Sequence, residues 1–75
     1  MNVLQRAVCD VISQLVDEDK SRRPITLKEI VEKLPNNKPR NIRTAAESLC
    51  IKGYLRRGYS IKNNSCYILI RTNFT

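Results

Sequence analysis

The sequence predicts an α+β fold of three helices and a C-terminal β-hairpin, with a very short strand ahead of the second helix. Three observations carry this expectation. Apolar residues recur at helical spacing from Val3 to Val16, a helix-start signature stands at Thr26 and Glu29, and the pattern turns strand-like after Gly53. At 75 residues the chain has room for a single domain over residues 1–75 with one modest core, because so short a chain keeps much of its surface in water.

Val3, Leu4, Ala7, Val8, Val11, Ile12, Leu15 and Val16 fall three and four apart, which is the apolar stripe of a helix over about residues 2–18. The stripe is wide for so small a domain. Either one flank meets a second copy, giving a homodimer through this helix, or the helix is central and covered on two sides by the others. Cys9 falls away from the stripe's centre, and its environment stays open. The acids Asp17, Glu18 and Asp19 then give way to a basic, proline-containing stretch over residues 20–24, which reads as a loop. Ile25 supplies a very short strand, limited to a sheet edge because Pro24 restricts its neighbours to extended geometry.

Thr26 followed three residues later by Glu29 has the form of a capping box. Leu27, Ile30, Val31 and Leu34 continue at helical spacing until Pro35, so the second helix covers about residues 27–34. Asn36, Asn37 and Lys38 form a turn, and Pro39 suits the first position of a third helix over about residues 39–52. Ile42, Ala45, Ala46, Leu49 and Cys50 make its inward face, and Gly53 offers the left-handed residue that closes a helix. Strand-favouring residues fill 54–61 and 66–71, separated by Lys62, Asn63, Asn64 and Ser65, and together they predict an antiparallel hairpin over about residues 54–71. Residues 72–75 read as a frayed end, with Phe74 able to tuck back onto the core.

Charge is segregated. Up to Asn37 six basic residues meet six acids, whereas from Lys38 onward eight basic residues face Glu47 alone, which accounts for the whole net charge of +7. Solubility alone does not require such segregation, and a polyanion is the expected partner. Three cysteines (Cys9, Cys50, Cys66) without close spacing, and no histidine, supply neither a disulfide framework nor a zinc site, so no metal and no cofactor are expected. An enzyme is not expected either: histidine is absent, no carboxylate pair sits in an apolar setting, and the two glycines do not make a phosphate loop. With no apolar run near the roughly 20 residues of a membrane span and no leader pattern, the expected location is cytoplasmic, associated with the nucleoid when bound to DNA.

Ile42-Arg43, Leu49, the run Lys52-Gly53-Tyr54-Leu55-Arg56-Arg57, a polar tip and then Tyr67-Ile68-Leu69 resemble the recognition helix, glycine stop and wing of the winged helix-turn-helix superfamily, over essentially the whole chain. The compact size is similar to that of small prokaryotic, plasmid or phage regulators. The resemblance implies a sequence-specific regulator of transcription bound to double-stranded DNA, with the third helix in the major groove and the hairpin as wing on the backbone or in the minor groove.

On that helix the outward residues are Arg40, Asn41, Arg43, Thr44, Glu47 and Ser48. Arginine bridges guanine O6 and N7, asparagine bridges adenine N6 and N7, and a carboxylate accepts from cytosine N4. Arg40, Asn41, Arg43 and Thr44 are the expected readers. Glu47 either reads cytosine or, by preference, pairs with Arg43. Lys38 and the N–H groups opening the helix are expected to hold a phosphate. Arg56, Arg57, Lys62, Asn63 and Asn64 are the expected wing contacts, with only one of the two adjacent arginines reaching DNA because they point to opposite strand faces.

The alternative is a winged-helix module for protein contacts, or an inhibitor, presenting its basic face to an acidic protein partner. Against it, the third helix offers arginine, asparagine and threonine where a protein-binding surface would offer aromatic or large apolar anchors. RNA recognition is disfavoured because the aromatic residues lie outside that helix.

Overall fold

The structure, a computed structural model, describes residues 2–19, 23–58 and 64–70. The expected wing-tip residues Lys62 and Asn63, and Phe74, lie outside the described residues. The elements run in the order α1 (Val3–Asp19), β1 (Ile25–Thr26), α2 (Leu27–Lys33), α3 (Pro39–Ile51), β2 (Leu55–Arg57) and β3 (Cys66–Leu69). Among the described residues no helix is long and apolar enough to cross a membrane.

Each helix starts and stops for a local reason. α1 is opened by a reciprocal cap absent from the sequence reading: Asn2 Oδ1 accepts from the Gln5 N–H at 2.8 Å, and Gln5 Oε1 accepts from the Asn2 N–H at 3.3 Å. α2 carries the expected capping box. The Glu29 N–H donates to Thr26 Oγ1 (3.2 Å) and the Thr26 N–H donates to Glu29 Oε2 (2.8 Å). The chain leaves α2 through Leu34, whose N–H donates to the carbonyls of Ile30 and Val31, and Pro39 opens α3 at its first position. α3 ends in a Schellman motif: Gly53, at φ +87°, donates to the Cys50 carbonyl (3.1 Å) and Tyr54 donates to the Leu49 carbonyl (3.0 Å). An alanine at Gly53 would meet no atom within 4 Å, so glycine is required there by the backbone angle and not by space.

The sheet is antiparallel in the order β1-β3-β2, with the last strand in the centre. β1 pairs Ile25 with Tyr67 and Thr26 with Cys66, while β2 pairs Leu55 with Leu69, Arg56 with Ile68 and Arg57 with Tyr67. Pro24 thus precedes an edge strand, as its missing donor demands. The hairpin joins β2 to β3 as its spacing predicts.

The core lies between the helices and one face of the sheet. Val8, Ile12, Ile25, Ile30, Ile42, Ala46, Leu49, Leu55 and Tyr67 are almost wholly inaccessible, and each large aliphatic side chain among them contributes about 1.5–3 kcal/mol by burial. The wide stripe of α1 is consumed within the chain, since Val8, Val11, Ile12 and Leu15 pack into the same cluster as residues of α2, α3 and the sheet. Only Val3 at its start stays exposed, at 89%. Cys9 is fully buried, and that burial, with Asp10 beside it, pushes its thiol up to about 11.

Glu29 does more than cap. Arg23 donates to both of its oxygens, Nη2 to Oε1 at 2.7 Å and Nη1 to Oε2 at 3.1 Å. With the Thr26 bonds this holds the carboxyl down at about 2, against an ordinary value of 4.5. A carboxylate depressed in the folded state adds stability above its ordinary value, and that stability is lost as pH falls through the folded value. Glu29→Gln should therefore cost about 1–2 kcal/mol at pH 7, with the gap to wild type closing between pH 5 and 2. Urea unfolding across that range measures it, and a pH-independent gap would remove the ionised carboxylate from the account.

Candidate nucleic-acid interface

Helical geometry divides the outer surface of α3 into a crest and two flanks. Arg40, Thr44, Glu47 and Ile51 stand one above another along the crest, and all four are exposed. The Thr44 hydroxyl donates to the Arg40 carbonyl at 3.1 Å, so its oxygen lone pairs remain outward as acceptors. Ile51, 88% exposed, was not anticipated. It places one large apolar side chain on a crest expected to be polar throughout.

At the opening of α3, Lys38 makes no side-chain cap, Pro39 has no N–H, and the Asn41 N–H donates to the Lys38 carbonyl (3.0 Å). The expected anion seat is therefore narrower than a full helix start. It consists of the Arg40 N–H and the exposed Lys38 ammonium.

The flank toward α1 carries Asn41 and half-buried Ser48. Together with Thr44, Ala45, Asn2, Leu4 and Gln5 they line an open cleft of about 280 Å³. Lys52 donates from Nζ to Oε1 of Gln5, one of the lining residues, at 3.0 Å. Gln5 is itself only 8% exposed, so an otherwise free lysine is tied to the buried start of α1. The sequence reading did not anticipate the tie between Lys52 and Gln5. The position of Lys52 one turn beyond Ser48 was the available signal, but its partner is 47 residues away.

The opposite flank carries Arg43 and Cys50 at positions i and i+7, with Glu47 on its border with the crest, and it faces the sheet. The Tyr67 side chain comes up beneath it, fully buried, with its hydroxyl unpartnered among the described residues. Burial pushes that hydroxyl up, Glu47 and Cys50 push it further, and Arg57 and Arg43 oppose the rise. Burial likewise raises the Cys50 thiol, with Arg57 acting against it. Arg43 and Glu47 of α3 and Arg57 of β2 thus all act electrostatically on the Tyr67 hydroxyl.

The preferred pairing of Glu47 with Arg43 is not formed, since no ion pair joins them among the described residues. The reason is physical. Arginine four residues before glutamate is the weaker orientation on a helix, and ordering two exposed side chains costs about what so exposed a pair returns.

On the wing, Arg56 and Arg57 are both exposed and lie on opposite faces, as expected. Arg56 stands opposite Ile68 and Arg57 opposite Tyr67. Only Arg57 shares the face that carries α3. Asn64 is exposed just before β3, and its carbonyl accepts a weak bond from the Cys66 thiol at 3.6 Å. No family model, curated protein or solved structure matches this chain.

The thiols report this packing directly. Cys9 and Cys66 are 0% and 1% exposed while Cys50 is half-buried on the flank. Iodoacetamide at pH 8.5 should label Cys50 in the folded protein and reach Cys9 and Cys66 only in denaturant. Mass spectrometry showing early labelling of Cys9 would contradict its placement.

Proposed function

We propose that the chain is a winged helix-turn-helix protein that binds double-stranded DNA sequence-specifically and regulates transcription. α3 enters the major groove and the β2–β3 hairpin serves as the wing. The order of three helices and a three-stranded antiparallel sheet fits this architecture. In this reading the chain is not an enzyme, and it works in the cytoplasm on nucleoid DNA.

One observation carries the reading. Arg40, Asn41 and Thr44 are exposed on the N-terminal half of a helix whose opposite face, Ile42, Ala45, Ala46 and Leu49, is locked into the core. Recognition helices present base-reading side chains from that half. Arg40 has the fork that guanine O6 and N7 require, Asn41 the amide that adenine N6 and N7 require, and Thr44 a free acceptor. Lys38, Lys52 and Arg57 add positive charge suited to phosphates on the side of the domain that carries α3.

Exposed Ile51 favours a second reading, an acidic protein partner docked on the same helix, because a large apolar side chain is the usual anchor of protein contacts. It stands alone at the far end of the crest, and the charged surroundings favour DNA. A homodimer through α1 is not needed to cover that helix's stripe, which the chain covers itself.

Selection from a random duplex library at two salt concentrations separates these readings. Enrichment of a defined motif, weakened but still preferred at higher salt, is the expected result. No enrichment at either concentration would turn the reading to the protein partner. Against the selected motif, Arg40→Ala and Asn41→Ala should each cost about 1–3 kcal/mol and relax preference at one base pair. Unchanged preference in both variants would take α3 out of the groove.

A further inference from the structure

We infer that Arg43 and Arg57 act jointly as a clamp on one phosphate of the duplex backbone, so that Arg43 positions α3 and does not read a base. This rests on the DNA-binding reading above and assigns a role within it.

Three features of the fold lead there. The register sets Arg57 directly opposite Tyr67 in the antiparallel ladder, and side chains of paired residues share a sheet face. Arg57 therefore rises on the same side as Tyr67, toward α3. On α3 itself Arg43 lies about 60° around the axis from Arg40 and about 100° from Thr44, on the flank that overlooks Tyr67. A helix seated in a groove turns its crest to the base edges and its flanks to the two backbones, and this flank is the one beside the wing. Finally, α3 packs directly against β2 and both arginines are exposed, so the seam between the two elements has a guanidinium available from each side.

Electrostatics agree with this placement, since both arginines act on the Tyr67 hydroxyl and neither forms an ion pair among the described residues. Two guanidiniums flanking one seam repel each other, and a shared phosphate relieves that repulsion while using their planar donor forks. Glu47 acts on the same hydroxyl. Its carboxylate disfavours a small free anion there, so the occupant is a phosphate delivered by the rest of the duplex and not inorganic phosphate from solution.

The test compares wild type with Arg43→Ala, Arg57→Ala, the double variant and Arg43→Lys on the selected duplex and its single base-pair variants, each across a salt series. Both arginines are exposed, so circular dichroism should show the fold intact. Each alanine variant is expected to bind every duplex on the order of tenfold more weakly, and to lower the slope of log affinity against log salt by about 0.9, one phosphate's worth. The double variant should lose no more than either single one, because both remove the same contact. Arg43→Lys should recover only part of the affinity, since an ammonium restores the charge but not the planar fork.

Additive losses with twice the slope change, or an Arg43→Ala variant that relaxes preference at a single base pair, would overturn the clamp while leaving DNA binding standing. Wild-type protein that binds no duplex at either salt concentration would remove the DNA-binding reading and the clamp together.

Discussion

The seating of α3 on α1 decides everything the outer surface can do. Ala45 and Ala46 keep the inward face of α3 shallow beside Ile42 and Leu49, and small residues at a helix contact bring the two axes closer together. Once those four side chains are enclosed, the remaining residues of α3 have no freedom about which side faces water. The Schellman turn at Gly53 and the Lys52 tie to Gln5 then fix the helix lengthwise. The crest and its flanks are accordingly held by packed core and hydrogen-bonded ends, which is what any surface that must match a partner's spacing requires.

How far this was legible in the sequence depends on the kind of interaction. The helices were legible because their apolar spacing and end signals, Thr26 with Glu29, Pro39 and Gly53, are local. The edge position of β1 followed from Pro24 for the same reason. Cys9 and Gln5 were not legible: they sit a turn apart at the margin of the α1 stripe, and their burial depends on how broad the cover is, a tertiary quantity. The cap formed by Asn2 and Gln5 has a recognisable spacing, but it lacks the serine or threonine by which a capping box is usually read from sequence. Ile51 was overlooked because the inward face of α3 was already complete without it. The Arg43–Glu47 pair was expected from spacing alone, and spacing says that two groups can meet without saying that meeting is favourable. That Arg57 lies on the Tyr67 face of the sheet, toward α3, needed the strand register, which periodicity does not supply.

The charge asymmetry now has a structural sense. In the first half acids are drawn into internal work: Asp10 lies 3.4 Å from Arg6, and Glu29 is held between Arg23 and the start of α2. Among the described residues, the basic side chains of α3 and β2 form no ion pairs. Their field therefore reaches into solvent over about a Debye length, near 8–10 Å at physiological salt. Two of the acids are thus engaged by arginines within the first half, while the cations of α3 and β2 stay open for encounter.

The placing of β3 between β1 and β2 also shapes how the chain comes together. The two outer strands do not touch each other, and Ile25 and Tyr67 are roughly 40 residues apart, so the sheet depends on long-range closure of the kind that slows folding. While the chain emerges from a ribosome, the three helices can condense early, but Ile25 and Leu55 have no central strand to lean on until residues 66–69 arrive. The sheet, and the cover it gives the helices, is therefore completed only by the strand nearest the C-terminus.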